Sequence, residues 1–147
     1  MQTIRILFLL YVLINSSYVK AEFSIEQSTQ CYAIGAVYGG ILKTTADAIR
    51  ESLEVMTKDQ QEDFKKTDRD VQKDLSLVIR FTKDLRKLGV SRLVKNGKTI
   101  SEANSFFESQ SEAFRYKQLK FDKKISLGQY TQTLEDLFND CLGKFKK

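Results

Sequence analysis

The chain has no histidine, no tryptophan and no proline, and only two cysteines. Without histidine there can be no Ser-His-Asp triad, no Cys-His pair and no His-ligated zinc or haem. Two cysteines cannot supply a four-thiolate metal site. Without proline the strongest breaker of helix interiors is missing, which fits long, unbroken helices. Neither sign of charge is scarce, with 24 Lys+Arg against 19 Asp+Glu in 147 residues. Charged residues at 29% and hydrophobic residues at 41% match a chain that builds a core, not a disordered one. The length suits one domain.

The first residues read as an address. Arg5 opens a short positive stretch, Ile6 to Ile14 is an apolar run, and Asn15 to Ala21 is more polar and ends in Val-Lys-Ala. This pattern predicts a secretory signal over residues 1–21, cut after Ala21, followed by one helical domain over residues 22–147. The apolar run is far shorter than the about 20 residues that cross a bilayer, so no transmembrane anchor is expected after the cut. The expected location is extracellular. Arg5 and Lys20 leave with the signal and no acid does, so the charge falls from +5 to +3. An oxidising route favours a disulfide between Cys31 and Cys141. The Asn15 sequon lies inside the signal, and no conventional N-glycan is expected.

Four segments carry apolar residues at steps of three and four, the helical period. The first runs from Ile25 to Met56, with Cys31, Ile34, Tyr38, Ile41, Leu42, Ile49 and Leu53 on its stripe and a possible kink at Gly39-Gly40. The second follows Thr57-x-x-Gln60, a capping box, and carries Phe64, Val71, Leu75, Val78, Leu85 and Leu88. Gly89 is its expected C-cap, and Val90 to Lys98 its connection onward. The third opens at Thr99-x-x-Glu102 and is expected to run toward Ile125; the fourth opens at Ser126-x-x-Gln129. No convincing strand is seen. The expected fold is all-α, an up-down four-helix bundle in which Cys31 and Cys141 meet at one pole and tie the two ends of the domain. Gly35 and Gly39 follow Cys31 on nearly the same face, and are expected to let the fourth helix approach the first.

Several chemical motifs fall short. Gly35 to Gly40 lacks the Lys and Ser/Thr of a phosphate loop, and Gly97-Lys98-Thr99 has Arg92 where the first glycine belongs. Asp68, Asp70 and Asp74 suggest calcium, but Lys73 and Ile79 occupy the positions an EF-hand gives to Gly and Glu. Carboxylate pairs occur on every helix surface and single out no glycosidase site. No catalytic residue, metal site or cofactor is expected.

Two features carry the functional expectations. Arg80, Lys83, Arg86, Lys87, Arg92, Lys95 and Lys98 form a basic run with Asp84 the only acid among them. Ordinary helix solvation produces such runs; the functional alternative is contact with an anionic surface, a sulfated glycan or lipid in preference to nucleic acid. A second run, Arg115 to Lys124, lies toward the other end of the third segment. Phe106, Phe107, Phe114, Phe121 and Phe138 are candidates for one aromatic cluster. Such residues usually fill a core; the alternative is an apolar cavity that holds a lipid-like ligand. The expectation is a secreted, non-enzymatic protein that binds an extracellular protein or anionic surface. The alternative is a carrier of a hydrophobic small molecule.

Overall fold

A computed structural model describes residues 23–145. The expected signal over residues 1–21 and the last two lysines lie outside the described residues. Within them the fold is all-α: α1 spans Ile25–Val55, α2 Lys58–Lys95, α3 Ile100–Gln118 and α4 Leu127–Phe145. No strand occurs among the described residues.

Each helix begins where a side chain satisfies amides that have no partner inside the helix. The Thr57 amide donates to Gln60 Oε1 at 3.3 Å. The Thr99 amide donates to Glu102 Oε2 at 2.8 Å, and the Glu102 amide returns a bond to Thr99 Oγ1 at 3.3 Å. Ser126 and Gln129 do the same at 2.9 and 3.2 Å. A fourth box opens α1, where the Ser24 amide donates to Gln27 Oε1 at 2.9 Å and the Gln27 amide to Ser24 Oγ at 3.0 Å.

Helix ends depart from expectation in two places. α2 does not stop at Gly89. It continues to Lys95 and closes at Gly97, whose φ of 93° only glycine adopts easily. The Lys98 amide donates to the Leu93 carbonyl and the Gly97 amide to the Val94 carbonyl, the paired bonds of a Schellman cap. α3 ends at Gln118, short of Ile125. Past Leu119 the Lys124 amide donates to Asp122 Oδ1 at 2.9 Å, so the aspartate offers the backbone a turn instead of another helical bond. α1, by contrast, is unbroken through Gly39 and Gly40.

α1 is the hub: it packs against each of the other three helices, and α2 also packs against α3. Gly35 of α1 meets Thr82 of α2, and Gly39 meets Val78, so the two helices run antiparallel. Tyr32 meets Phe107 of α3, while Cys31 and Tyr38 meet Cys141 and Phe138 of α4. With about 3.6 residues per turn, these three sets fan around α1 and place α3 and α4 on opposite flanks, with α2 between them. Residues 119–126 carry the chain from one flank to the other. Tyr130 Oη donates to the Leu119 carbonyl and holds the end of that crossover against α4.

Cys31 and Cys141 stand at disulfide distance, with Cα atoms 5.8 Å apart. The glycine expectation is corrected in its partner. A methyl on Gly35 would come within 2.4 Å of Thr82 Cγ2, but only within 3.5 Å of Phe138. One on Gly39 would meet Val78 at 3.1 Å. Both glycines admit α2, and only Gly35 also comes near α4.

The core has a main body and a satellite. Leu85, Val78, Leu134, Phe81 and Phe138 lie in the main body; Leu93, Ala103 and Phe107 form the satellite under α3. Three small polar residues are buried at close helix contacts: Ser28, Thr29 and Ser111. Each hydroxyl donates to a carbonyl of its own helix, at Ser24, Glu26 and Phe107, so none is buried without a partner. All buried residues of α2 lie from Val78 onward. α1 and α2, with 31 and 38 residues, outreach the 19-residue α3 and α4 and continue past them as a two-helix hairpin.

Candidate functional site

The core face of α2 in its C-terminal half is Leu85, Gly89 and Leu93. Beside it runs a second stripe at helical spacing: Lys83, Lys87, Val90 and Val94, flanked by Arg86, Ser91 and Lys95. The first two turns of α3 stand across from it and contribute Ile100 and Asn104. Between the two helices lies an open groove of about 580 Å³. Its floor is apolar, its rims carry four cations, and no acid lines it. Val94 is 37% exposed and Ile100 69%.

Two polar contacts shape the groove. Arg86 bridges α2 to α3, with Nη2 at 3.0 Å from Glu108 Oε1 and 3.3 Å from Asn104 Oδ1. This pair is about half exposed, so its contribution to stability is small, but it fixes the guanidinium in place. Lys83, Lys87 and Lys95 make no ion pair among the described residues, leaving three free ammonium groups on the rims. The Thr99 cap orients the first turn that presents Ile100. Hydrogen bonds from the Thr99 amide and hydroxyl hold the Glu102 carboxyl below its ordinary pKa, with a lesser lowering by Lys98, so it stays ionised.

The structure gathers four of the seven residues of the basic run: Lys83, Arg86, Lys87 and Lys95. Arg80 lies a turn ahead and outside. Arg92 turns to an adjoining hollow with Ile25 and Asn96, which shares Lys95 with the groove. Lys98 sits 5.3 Å above the Phe106 ring. The apolar floor was not singled out from sequence. Its signal was present, since Val90 and Val94 follow Lys83 and Lys87 at helical spacing beside the main core stripe.

The five candidate phenylalanines do not share one surface. Phe107 is fully buried against Tyr32 and Gly89, and Phe138 lies in the main core against Phe81 and Tyr38. Phe121 stacks edge-on to Tyr130 at the crossover. Only Phe106 and Phe114 come together, in a groove of about 470 Å³ between α1 and α3 that also takes in Ile25, Leu93, Glu26 and Lys117.

Among the described residues, no cluster of three or more Cys, Asp or Glu is arranged to hold a metal ion. No helix there is long and apolar enough to cross a membrane. The cysteine pair is compatible with an extracellular location. No protein-family model matches the chain, and comparison with curated proteins and with solved structures finds no similar one. What defines the protein is therefore its own geometry: an all-α fold with paired cysteines and a basic, apolar-floored groove.

Proposed function

We propose that this is a secreted, non-catalytic protein that works by extracellular binding, and that the groove between α2 and α3 is where it holds an anionic partner. One observation carries this reading: three unpaired lysines flank an exposed apolar floor, and no acid lines the groove. An unopposed cationic rim attracts anions and raises their local concentration. The floor gives a bound partner apolar area to cover. The N-terminal signal pattern and the cysteine pair support secretion, and the antiparallel α1–α2 pair with α3 and α4 packed on its flanks supports the bundle reading of the fold.

The test compares two charge-reversed variants on a heparin column and on vesicles containing phosphatidylglycerol. Lys83→Glu/Lys87→Glu/Lys95→Glu alters the groove. Lys58→Glu/Lys65→Glu/Lys66→Glu makes the same change in net charge on the distal hairpin. The groove variant is expected to lose retention at much lower salt than the distal one. Equal losses would reduce the effect to net charge and sink the reading.

A hydrophobic carrier is the second reading, supported by the Phe106 and Phe114 groove. It predicts a lipid that co-purifies with the native protein, appears in its native mass, and is lost on denaturation.

A further inference from the structure

We infer that the α2–α3 groove takes a single-chain fatty carboxylate. Its headgroup lies between Lys83 and Lys87 near Asn104, and its chain runs over Val90, Val94 and Ile100 toward Lys95. This rests on the groove being the binding site, as proposed above, and adds the class of ligand. Three of the four cations, Lys83, Arg86 and Lys87, gather at the Asn104 end of the groove, while Lys95 stands alone beside Val94 at the other. Lys83 and Lys87 are one turn apart on one ridge of α2, within reach of one anionic headgroup, which would relieve the repulsion between them. Asn104 stands across from them, next to Arg86 at 3.3 Å. Val90 and Val94 continue the ridge, and Ile100 faces them from α3. From Lys87 to Val94 the helix rises about 10 Å, room for a medium alkyl chain. The volume of about 580 Å³ falls among small-molecule sites.

The shape favours this occupant over others. A protein partner needs about 800 Å² on each side, far more than this groove offers alone. A flat bilayer would meet the lysine tips and Ile100, and leave the hollow between the helices unfilled. A sulfated glycan would satisfy the lysines but make no use of the apolar floor. A fatty carboxylate pairs its one charge with the lysines and covers the valines with its chain.

The experiment is calorimetric titration of the intact, disulfide-bonded protein with octanoate, decanoate and dodecanoate below their micelle concentrations. Dodecyltrimethylammonium serves as the opposite-charge control. The expected result is saturable one-to-one binding that tightens about two- to fourfold per methylene. Salt weakens it, and the cationic amphiphile does not compete. Lys83→Gln/Lys87→Gln is expected to weaken dodecanoate at least tenfold. Ile100→Ser, at an exposed position that leaves the core intact, is expected to flatten the chain-length dependence. Lys58→Gln/Lys66→Gln on the distal hairpin is expected to change nothing. Circular dichroism verifies that each variant is folded. No binding of dodecanoate, equal binding of the cationic amphiphile, or indifference to both groove variants would overturn the inference. If heparin or vesicle binding still depends on the groove lysines in that case, the broader binding proposal stands and only the ligand class falls. If neither depends on them, both fall.

Discussion

Gly35 and Gly89 show that a missing side chain can carry a contact. A methyl on Gly89 would fall 2.3 Å from Phe107 Cε2, and one on Gly35 would fall 2.4 Å from Thr82 Cγ2. Gly40, five residues from Gly35 on the same helix, has nothing within 4 Å. The same substitution should therefore have opposite signs at the two sites. Gly40→Ala is expected to stabilise the fold by up to about 1 kcal/mol, the helix-propensity gain. Gly35→Ala is expected to destabilise it by about 1–3 kcal/mol through overpacking. The cause can be isolated at Thr82. Its hydroxyl donates to the Val78 carbonyl at 2.9 Å, and serine keeps that hydroxyl while losing the crowding methyl. Thr82→Ser should recover most of the Gly35→Ala loss, and a double-mutant cycle by urea denaturation measures the coupling. Equal costs with threonine and serine would remove the contact as the explanation. Sequence alone does not separate a glycine needed for its backbone freedom from one needed for its smallness. From sequence Gly89 looks like a cap, because the ring that needs the space, Phe107, stands in another helix. Gly97 supplies the positive φ instead.

The helix starts were the most legible elements, because a capping box is local chemistry over four residues. Thr57, Thr99 and Ser126 open such boxes, and Ser24-x-x-Gln27 is a fourth of the same pattern. The end of α3 was less legible. The apolar period of Phe114, Phe121 and Ile125 continues past Leu119, and only the turn at Asp122 stops the helix. Of the flanking contacts of α1, the cysteine pair with α4 is legible, but the contact with α3 is not, since it depends on which helix reaches which face. Those contacts bury the Tyr38 phenol and partly cover those of Tyr32 and Tyr130. Tyr32 meets α3, Tyr38 meets α4, and Tyr130 ties α4 to the crossover. Burial raises all three above the ordinary value of 10.0, helped by Glu108 at Tyr32 and by Glu135 and Asp74 at Tyr38, while Arg86 pulls Tyr32 partly back. The native state therefore keeps these protons at a pH where the unfolded chain has begun to lose them. The stabilisation is complete below pH 10 and disappears as pH rises through the native values, so urea stability should fall on going above pH 10. Because the chain has no tryptophan, phenolate absorbance reports the titration cleanly. Part of that absorbance should appear at higher pH in native protein than in urea-unfolded protein. Superimposable curves would contradict the shielding of these three phenols.

At the scale of the molecule the two cysteines do what the sequence suggested: they bring the start of α1 and the end of α4 to one pole. The sequence did not reveal how unequally that tie is shared. α4 packs against α1, with Phe81 of α2 reaching Phe138 and Phe145, whereas α3 packs against both α1 and α2. A cut at the Cys31–Cys141 link, 110 residues apart in sequence, should therefore weaken the protein as a whole and loosen one flank first. In the chain-entropy account, closing a loop of this length contributes about 4–5 kcal/mol. Cys31→Ser/Cys141→Ser, or reduction of the native protein, is expected to lower urea stability by up to that amount. Hydrogen exchange should resolve where the loss falls. Amides of α4 should exchange much faster, while those around Leu93, Ala103 and Phe107 keep most of their protection, because local opening follows the contacts that remain. The groove between α2 and α3 belongs to the protected flank. Dodecanoate binding, where it occurs, should therefore survive reduction under conditions that leave the α1–α2 hairpin folded. Uniform loss of protection across all four helices would show instead that α4 is inseparable from the rest of the fold, and that the groove depends on the far flank as well.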